Sequence, residues 1–364
     1  MLTVAFLFLC AWFDWKTLKT DDFTVIYREG YRAEALQALA NLHYHDDATQ
    51  EMIAQYDRRI PVVIEDVGAI TNGFANPVFH NIHIFTRPPG FGSRLEGIES
   101  WYRTVGVHEY THIVHLGTTA GAPRVLTNVF GPLFAANIYS PGWITEGITV
   151  LAESRATPYE GRLNDGFFDA CLAARAAAGA LPSIVEATNT PLDFPQGAHY
   201  FYGGEFFGFL HDKYGPDRLA EFFRRYGSCL VAPLSSLVPG TGLDRAARKT
   251  FGASWQGLFR EWHRSVQERF QTWRCAGTRM TSRGWYAYSL IKGSGALYYV
   301  RTVPVKPSGF DDIYETRLMR FDPSTGEEHA IATLSGDITS PLRVKDGRLY
   351  YTTMQWARGY ANVY

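Results

Sequence analysis

Residues 101–116, WYRTVGVHEYTHIVHL, form the stretch that decides the fold around them. They belong to a helical pattern that runs from about residue 95 to residue 116. In a helix, residues four apart project from one face, so His108 and His112 present two imidazoles to one point. Imidazoles bind Zn²⁺ at about 2.0–2.1 Å, and Glu109 is placed to accept a proton from a water molecule. The alternative is a helix with surface histidines that bind no metal.

A catalytic zinc usually has three protein ligands, so a third must come from elsewhere in the chain. The candidate is Glu146, which lies 34 residues after His112 in the segment WITEGITVLAE of residues 143–153. This segment begins the next predicted helix. Its carboxylate would complete a site made of two histidines and one glutamate.

Together, HEYTH and the W-x-x-E-G-x-x-x-x-x-E helix resemble the gluzincin metallopeptidases, the clan of thermolysin and aminopeptidase N. The resemblance implies Glu146 as the third zinc ligand and Glu153 as an acceptor that orients a ligand histidine. The connection over residues 113–140 is longer than in the aminopeptidases. The chain is similar to the peptidase MA-like group, in which a gluzincin domain precedes a TolB-like β-propeller, over roughly residues 15–364, although only the two motifs are specific.

His115 extends the stripe of histidines on the helix and suggests a rival ligand set. The metzincin pattern would require glycine at position 115 and histidine at position 118, where this chain has His115 and Thr118. That pattern therefore fails, and we expect His115 to pack in the helix or line a pocket.

Hydrolysis also needs a hydrogen-bond donor for the oxyanion. We expect this donor to be Tyr200, because Tyr200-Phe-Tyr-Gly203 resembles the Y-x-x-G segment in which gluzincin aminopeptidases carry such a tyrosine. Tyr202 and His199 compete for the role. The alternative is an aromatic helix that only packs on the core.

Upstream, Asn72-Gly-Phe-Ala-Asn-Pro77 lies where the aminopeptidases have a G-x-M-E-N strand, but it lacks the glutamate that binds a substrate amine there. The resemblance then implies cleavage inside peptides or of blocked ends, whereas a simple turn explains the segment equally well. The strand NIHIFT of residues 81–86 is a candidate for pairing with substrate backbone at a sheet edge.

The remaining patterns predict an α+β fold. Strands are predicted at residues 23–27 and 60–65, and helices at residues 31–56, 143–154, 200–214, 217–226 and 243–273. We expect a mostly helical, thermolysin-like domain over residues 15–277. Over residues 278–364, short aromatic strands predict the first part of a β-propeller that is truncated in this chain. Two repeats support this: Gly295-Ala-Leu-Tyr-Tyr299 recurs as Gly347-Arg-Leu-Tyr-Tyr351, and Asp312-Ile-Tyr314 recurs as Asn362-Val-Tyr364.

Composition limits the partners. Lys plus Arg (35) nearly balances Asp plus Glu (36), so the chain has no basic field for nucleic acid. The apolar residues 1–14 are too short to span a bilayer, which takes about 20 residues. They predict a signal remnant and an extracytoplasmic location, or a first buried strand; Cys10 as a lipid-anchored cysteine is a minor option. The cysteines show no CxxC spacing and indicate no disulfide pairing.

These observations predict a zinc metallopeptidase of the endopeptidase type, which cleaves bonds inside peptide or protein substrates with Glu109 as general base. The alternative is an extracytoplasmic binding or scaffold protein that recognises a protein partner through the propeller and whose peptidase-like domain is inert.

Overall fold

The computed structural model describes residues 14–68, 70–91, 95, 99–188, 197–232, 242–274, 276–277, 280, 286–305, 314–334, 337–355 and 360–363. The apolar residues 1–13, with Cys10, and Cys275 lie outside the described residues, as do residues 278–279 at the predicted boundary. The signal remnant and the extracytoplasmic location therefore stay predictions. Within the described ranges no helix has both the length and the apolar character needed to cross a membrane.

The N-terminal part is a five-stranded mixed sheet in the order β1-β2-β3-β5-β4. Its strands are β1 (Trp15–Lys19), β2 (Phe23–Arg28), β3 (Ile60–Glu65), β4 (Gly73–Asn76) and β5 (Asn81–Phe85). Strands β2, β3 and β5 are parallel, and the two outer strands are antiparallel to their neighbours. The sequence predicted β2, β3 and β5 from their alternating apolar residues, which face the core here.

The strand NIHIF is not at an edge. β5 lies between β3 and β4, so both rows of its backbone groups are already used by neighbouring strands. The prediction that this strand pairs with substrate is therefore wrong. The edge of the sheet is β4, formed by residues of the NGFANP segment.

Ten α-helices follow or interrupt the sheet in the described chain, and all of them except α3 contribute residues to one hydrophobic core with it. They are α1 (Arg32–Met52), α2 (Trp101–Gly117), α3 (Gly121–Phe130), α4 (Gly142–Arg155), α5 (Gly166–Ala177), α6 (Ile184–Thr188), α7 (Ala198–Tyr214), α8 (Pro216–Gly227), α9 (Leu243–Phe251) and α10 (Trp255–Phe270). Mixed α and β structure agrees with the predicted class.

The helix predicted over residues 243–273 is two helices. Gly252 adopts a left-handed conformation (φ +79°) and ends α9, and the Ser254 side chain then accepts a hydrogen bond from Gly257 N to begin α10. Glycine adopts this conformation without steric cost, and serine is a favoured N-cap. Both signals are present in the sequence, but the apolar periodicity continues across them.

Helix α2 carries HEYTH through the centre of the fold. Its first turn is capped by Ser100, whose side chain accepts from Arg103 N, and by Glu160, which accepts from Ser100 N. All but three of its seventeen residues are buried. A helix enclosed this way holds its side chains in fixed positions, as a site requires.

From residue 286 onward, the described residues form strands and the turns between them. A four-stranded antiparallel sheet consists of β6 (Tyr286–Gly293), β7 (Ala296–Pro304), β8 (Tyr314–Phe321) and β9 (Glu328–Leu334). The shorter strands are β10 (Asp337–Ile338), β11 (Arg343–Lys345), β12 (Arg348–Tyr350), β13 (Thr352–Gln355) and β14 (Tyr360–Val363). The described strands do not show a propeller, so the propeller stays a prediction.

The repeated sequence in this part has a structural counterpart. Ser294-Gly295 joins β6 to β7 and Asp346-Gly347 joins β11 to β12, and all four residues have positive φ between 49° and 77°. Two successive residues of this kind form the two-residue turns that match the twist of a hairpin. The repeat therefore marks two similar hairpins; residues 312, 313 and 364 of the second repeat are outside the described ranges.

Candidate metal centre

Three side chains from two helices converge beside the sheet. His108 and His112 of α2 and Glu146 of α4 each offer one ligand atom, and these atoms lie within 4.8 Å of one another. Oε2 of Glu146 is 3.3 Å from Nε2 of His108 and 3.3 Å from Nε2 of His112. The imidazoles are buried, and Glu146 is mostly so.

This arrangement fits a zinc ion. In a tetrahedral site with bonds of about 2.0–2.1 Å, neighbouring ligand atoms are about 3.3 Å apart. The two distances to Glu146 match that spacing. In addition, Oε2 of Glu146 is buried and meets no hydrogen-bond donor in good geometry among the described residues. A buried carboxylate oxygen in that state is unfavourable unless a cation satisfies it.

Glu153 lies behind the cluster, two turns along α4 from Glu146. Its Oε2 is 2.8 Å from Nδ1 of His108, and its side chain is fully buried. With a proton on Nδ1 held by this carboxylate, Nε2 is the nitrogen that would bind a metal beside Glu146. Glu153 therefore fixes the orientation of His108 and the position of its Nδ1 proton.

The pKa values of the cluster reflect the balance between burial and charge. Burial opposes the charged form of His108, but the Glu146 and Glu153 carboxylates outweigh it and raise its pKa to about 9. Burial would likewise raise the pKa of Glu146, and the two imidazoles outweigh it and lower this pKa well below its usual range. The site thus holds a carboxylate that needs positive charge beside it.

Glu109 is buried next to the edge strand β4. Gly73 on that strand approaches so closely that a methyl group built on it would lie 3.4 Å from Cγ of Glu109. The short segment NGFANP thus forms a strand beside the predicted base. It places an open sheet edge near the cluster.

Tyr200, in the first turn of α7, lies beside the cluster. Its ring centroid is 6.1 Å from that of His108, and the Arg162 guanidinium lies 4.8 Å from its ring centroid. Burial, and then the charge of Glu146, raise the pKa of Tyr200, so its hydroxyl keeps its proton at neutral pH. A neutral phenol is a hydrogen-bond donor.

Tyr202 and His199, the other two candidates for the oxyanion donor, lie in different surroundings. Tyr202 belongs to the hydrophobic core, where it is 3% exposed and contacts Phe201. His199 is half-buried beside Tyr200, and burial lowers its pKa. The Tyr200 ring contacts the ring of His108, a histidine of the cluster.

His115 is a core residue. It is completely buried, its ring centroid is 4.7 Å from that of Phe223, and burial lowers its pKa to about 3. The neutral ring packs against α8 and does not join the cluster of His108, His112 and Glu146.

Arg162 is the residue that sequence reasoning missed. It follows α4 in a short 3₁₀ turn (Arg162–Asn164), donates its backbone N–H to Oε1 of Glu153 at 3.2 Å, and extends its guanidinium to 3.5 Å from Oε2 of the same side chain. It therefore contacts both Glu153 and Tyr200. No motif or periodicity marks it, since its place depends on how the turn packs beneath α7.

The chain was compared with known proteins. No family model matches it. It is 28% identical over 219 residues to an uncharacterized protein of Treponema pallidum (strain Nichols), which covers 57% of this chain and 18% of that protein. It is similar to the structure of native yeast LTA4 hydrolase with a TM-score of 0.36 and 12% identity, covering 67% of this chain and 39% of that chain. The chain thus spans less than half the length of either protein, and the structural likeness is too weak to assign a function.

Proposed function

We propose that this chain is a zinc-dependent peptide hydrolase of the endopeptidase type. The observation that carries the proposal is the convergence of His108, His112 and Glu146, with spacings that suit tetrahedral zinc and with Glu109 on the adjoining position of α2. A buried carboxylate orienting a ligand histidine adds to it, because such a partner is typical of metal sites.

Each residue has a distinct task in this proposal. His108, His112 and Glu146 hold the metal, which when bound would polarise a carbonyl and lower the pKa of a water. Glu109 takes a proton from the attacking water and returns it to the leaving amine. Tyr200 donates a hydrogen bond to the oxygen on which negative charge develops.

The endopeptidase assignment rests on β4. This strand has the sequence GFAN, which contains no acidic residue to pair with the amino group of a substrate. Its open edge offers backbone groups to an extended peptide, which can continue in both directions past the cluster. We therefore expect an acetylated peptide to be cleaved as well as the same peptide with a free amino terminus.

The decisive experiment combines metal analysis with one substitution. Purified protein should contain about one zinc per chain, and Glu109→Gln should keep that zinc and lose cleavage of a mixed peptide library. Glu51→Gln, on the exposed side of α1, is the control and should behave as wild type. A folded protein that binds no zinc would favour the inert scaffold instead, and an active Glu109→Gln protein would remove Glu109 from the mechanism.

A further inference from the structure

The segment between the two ligand-bearing helices exposes an apolar surface. Helix α3, the 3₁₀ turn Pro132–Phe134 and the 3₁₀ turn Ala136–Tyr139 form a hairpin, here called the 121–139 hairpin. Its exposed large side chains are Val125 (63%), Val129 (66%), Phe130 (65%), Leu133 (67%), Phe134 (41%) and Tyr139 (40%). A patch of this kind on a globular protein usually marks an interaction surface.

The base of the hairpin is firmly attached to the rest of the fold. The buried Asn137 side chain donates to Thr118 O at 2.7 Å and to Phe223 O at 3.3 Å, and Ala120 N donates to Gly227 O. Pro123 is buried as well. The apolar tip is therefore held outward by its anchors.

The hairpin itself contains almost no charge, although Arg58 from outside it donates to Asn128 Oδ1 at 3.0 Å. The 19 residues from Gly121 to Tyr139 contain a single Asp, Glu, Lys or Arg, which is Arg124, although 20% of the whole chain is charged. At the average frequency about four would be present. A segment that faced only water would have no reason to exclude acidic and basic side chains so completely.

Part of the backbone of the tip is paired internally. Gly131 N donates to Thr127 O, Ala135 N to Pro132 O and Ile138 N to Ala135 O, and the Tyr139 hydroxyl donates to Leu133 O at 2.9 Å. In hydrocarbon, polar backbone groups must be paired internally. A protein partner would normally meet a polar rim with hydrogen bonds of its own.

From these features we propose that the 121–139 hairpin inserts into the interface of a lipid bilayer. Phe130, Leu133 and Phe134 enter the apolar layer, and Tyr139 lies at the headgroup level, where aromatic residues with a polar end are favoured. Arg124 at the edge is placed for a phosphate group. The binding is hydrophobic, so it needs no anionic lipid, and it does not depend on the proposed hydrolase activity.

The test is flotation of the full chain with unilamellar vesicles of phosphatidylcholine. Wild type should float with the vesicles, equally at low salt and at about 1 M salt, because the hairpin itself contains a single charged residue. Phe130→Ser with Leu133→Ser should lower the partition coefficient at least about tenfold, since each side chain contributes about that much on leaving water. Both residues are exposed, so folding should be unaffected, which the thermal unfolding midpoint checks.

The matched control is Val185→Ser with Leu290→Ser, two residues that are 63% and 67% exposed and lie outside the hairpin. This variant should float as wild type does. Wild type that stays with the soluble fraction, or a hairpin variant that floats as well as wild type through another apolar segment, would overturn the proposal. A hairpin variant that changes only the oligomeric state would do the same, by showing that a second copy covers the surface.

Discussion

The backbones of Gly147 and Gly203 touch where helix α4 crosses helix α7. A methyl group built on Gly147 would lie 2.6 Å from the carbonyl carbon of Gly203, and one built on Gly203 would lie 2.4 Å from Trp143 O. Glu146 precedes the first glycine, and Tyr200 is one turn before the second. The crossing therefore sets the distance between a proposed metal ligand and the proposed oxyanion donor.

We expect Gly203→Ala to destabilise the protein by about 1–3 kcal/mol, because the helices must separate to admit the methyl group. The control lies on the same helix: a methyl group on Gly208 would meet only Leu163 Cδ1, at 3.4 Å. Gly208→Ala should be neutral or slightly stabilising, as alanine favours the helix. Urea unfolding measures both variants, and equal stability of the two would contradict the tight crossing.

Tyr200→Phe should lower kcat by about 10²–10³ and leave the zinc content unchanged, because it removes one donor to the developing charge. Tyr202→Phe, two residues along the same helix and buried in the core, should change kcat little. His199→Ala tests the remaining candidate donor and should not show the large loss of kcat. If His199→Ala rather than Tyr200→Phe shows the large loss, the donor has been assigned to the wrong residue.

Glu153→Gln should weaken zinc binding about 10- to 100-fold, since the amide no longer holds His108 as a carboxylate does. Glu205→Gln is the matched control, because Glu205 is also a buried glutamate (7% exposed) but pairs with Arg269 away from the cluster. Competition with a zinc-binding dye measures both affinities. Equal affinities would mean that Glu153 has only a structural role.

Stability should also depend on the ionisation of Glu205. Burial, opposed in part by Arg269, raises its pKa to about 7, above the value of about 4.3 expected in the unfolded chain. The folded state therefore binds this proton more tightly, and the resulting stability is present at low pH and is lost as the pH rises from about 4 to about 7. Relative to wild type, Glu205→Gln should gain roughly 2–3 kcal/mol between pH 5 and pH 8.

Urea unfolding of the two proteins at several pH values tests this, since the titration of all other groups cancels in the difference. A difference that does not change across the window would show that Glu205 has an ordinary pKa in the folded protein.

Strong local patterns were sufficient to predict much of the fold. Helix α2 and strands β2 and β3 follow from apolar periodicity, and the histidine pair follows from the geometry of one helix turn. Glu146 was predictable because its motif is also local to one helix. What brings α2 and α4 together is the packing of the whole core, which no short pattern contains.

The errors have physical causes as well. The order of strands in the sheet depends on long-range pairing, so the edge was assigned to β5 when it belongs to β4. No helix was predicted within the connection over residues 113–140, because glycine and proline interrupt its periodicity, yet α3 lies there. Arg162 was missed because its partners, Glu153 and Tyr200, are distant from it in sequence, and because one of its bonds to Glu153 is made by its backbone N–H.

Arg162 also makes two parts of the site interdependent. One side chain spans the carboxylate behind His108 and the face of the Tyr200 ring, so a shift of either neighbour is transmitted to the other through the guanidinium. Substitutions in contact with a shared partner rarely have additive effects. The effects of substitutions at positions 153 and 200 should therefore be non-additive. In related sequences, a different residue at one of these positions should be accompanied by a different residue at the other.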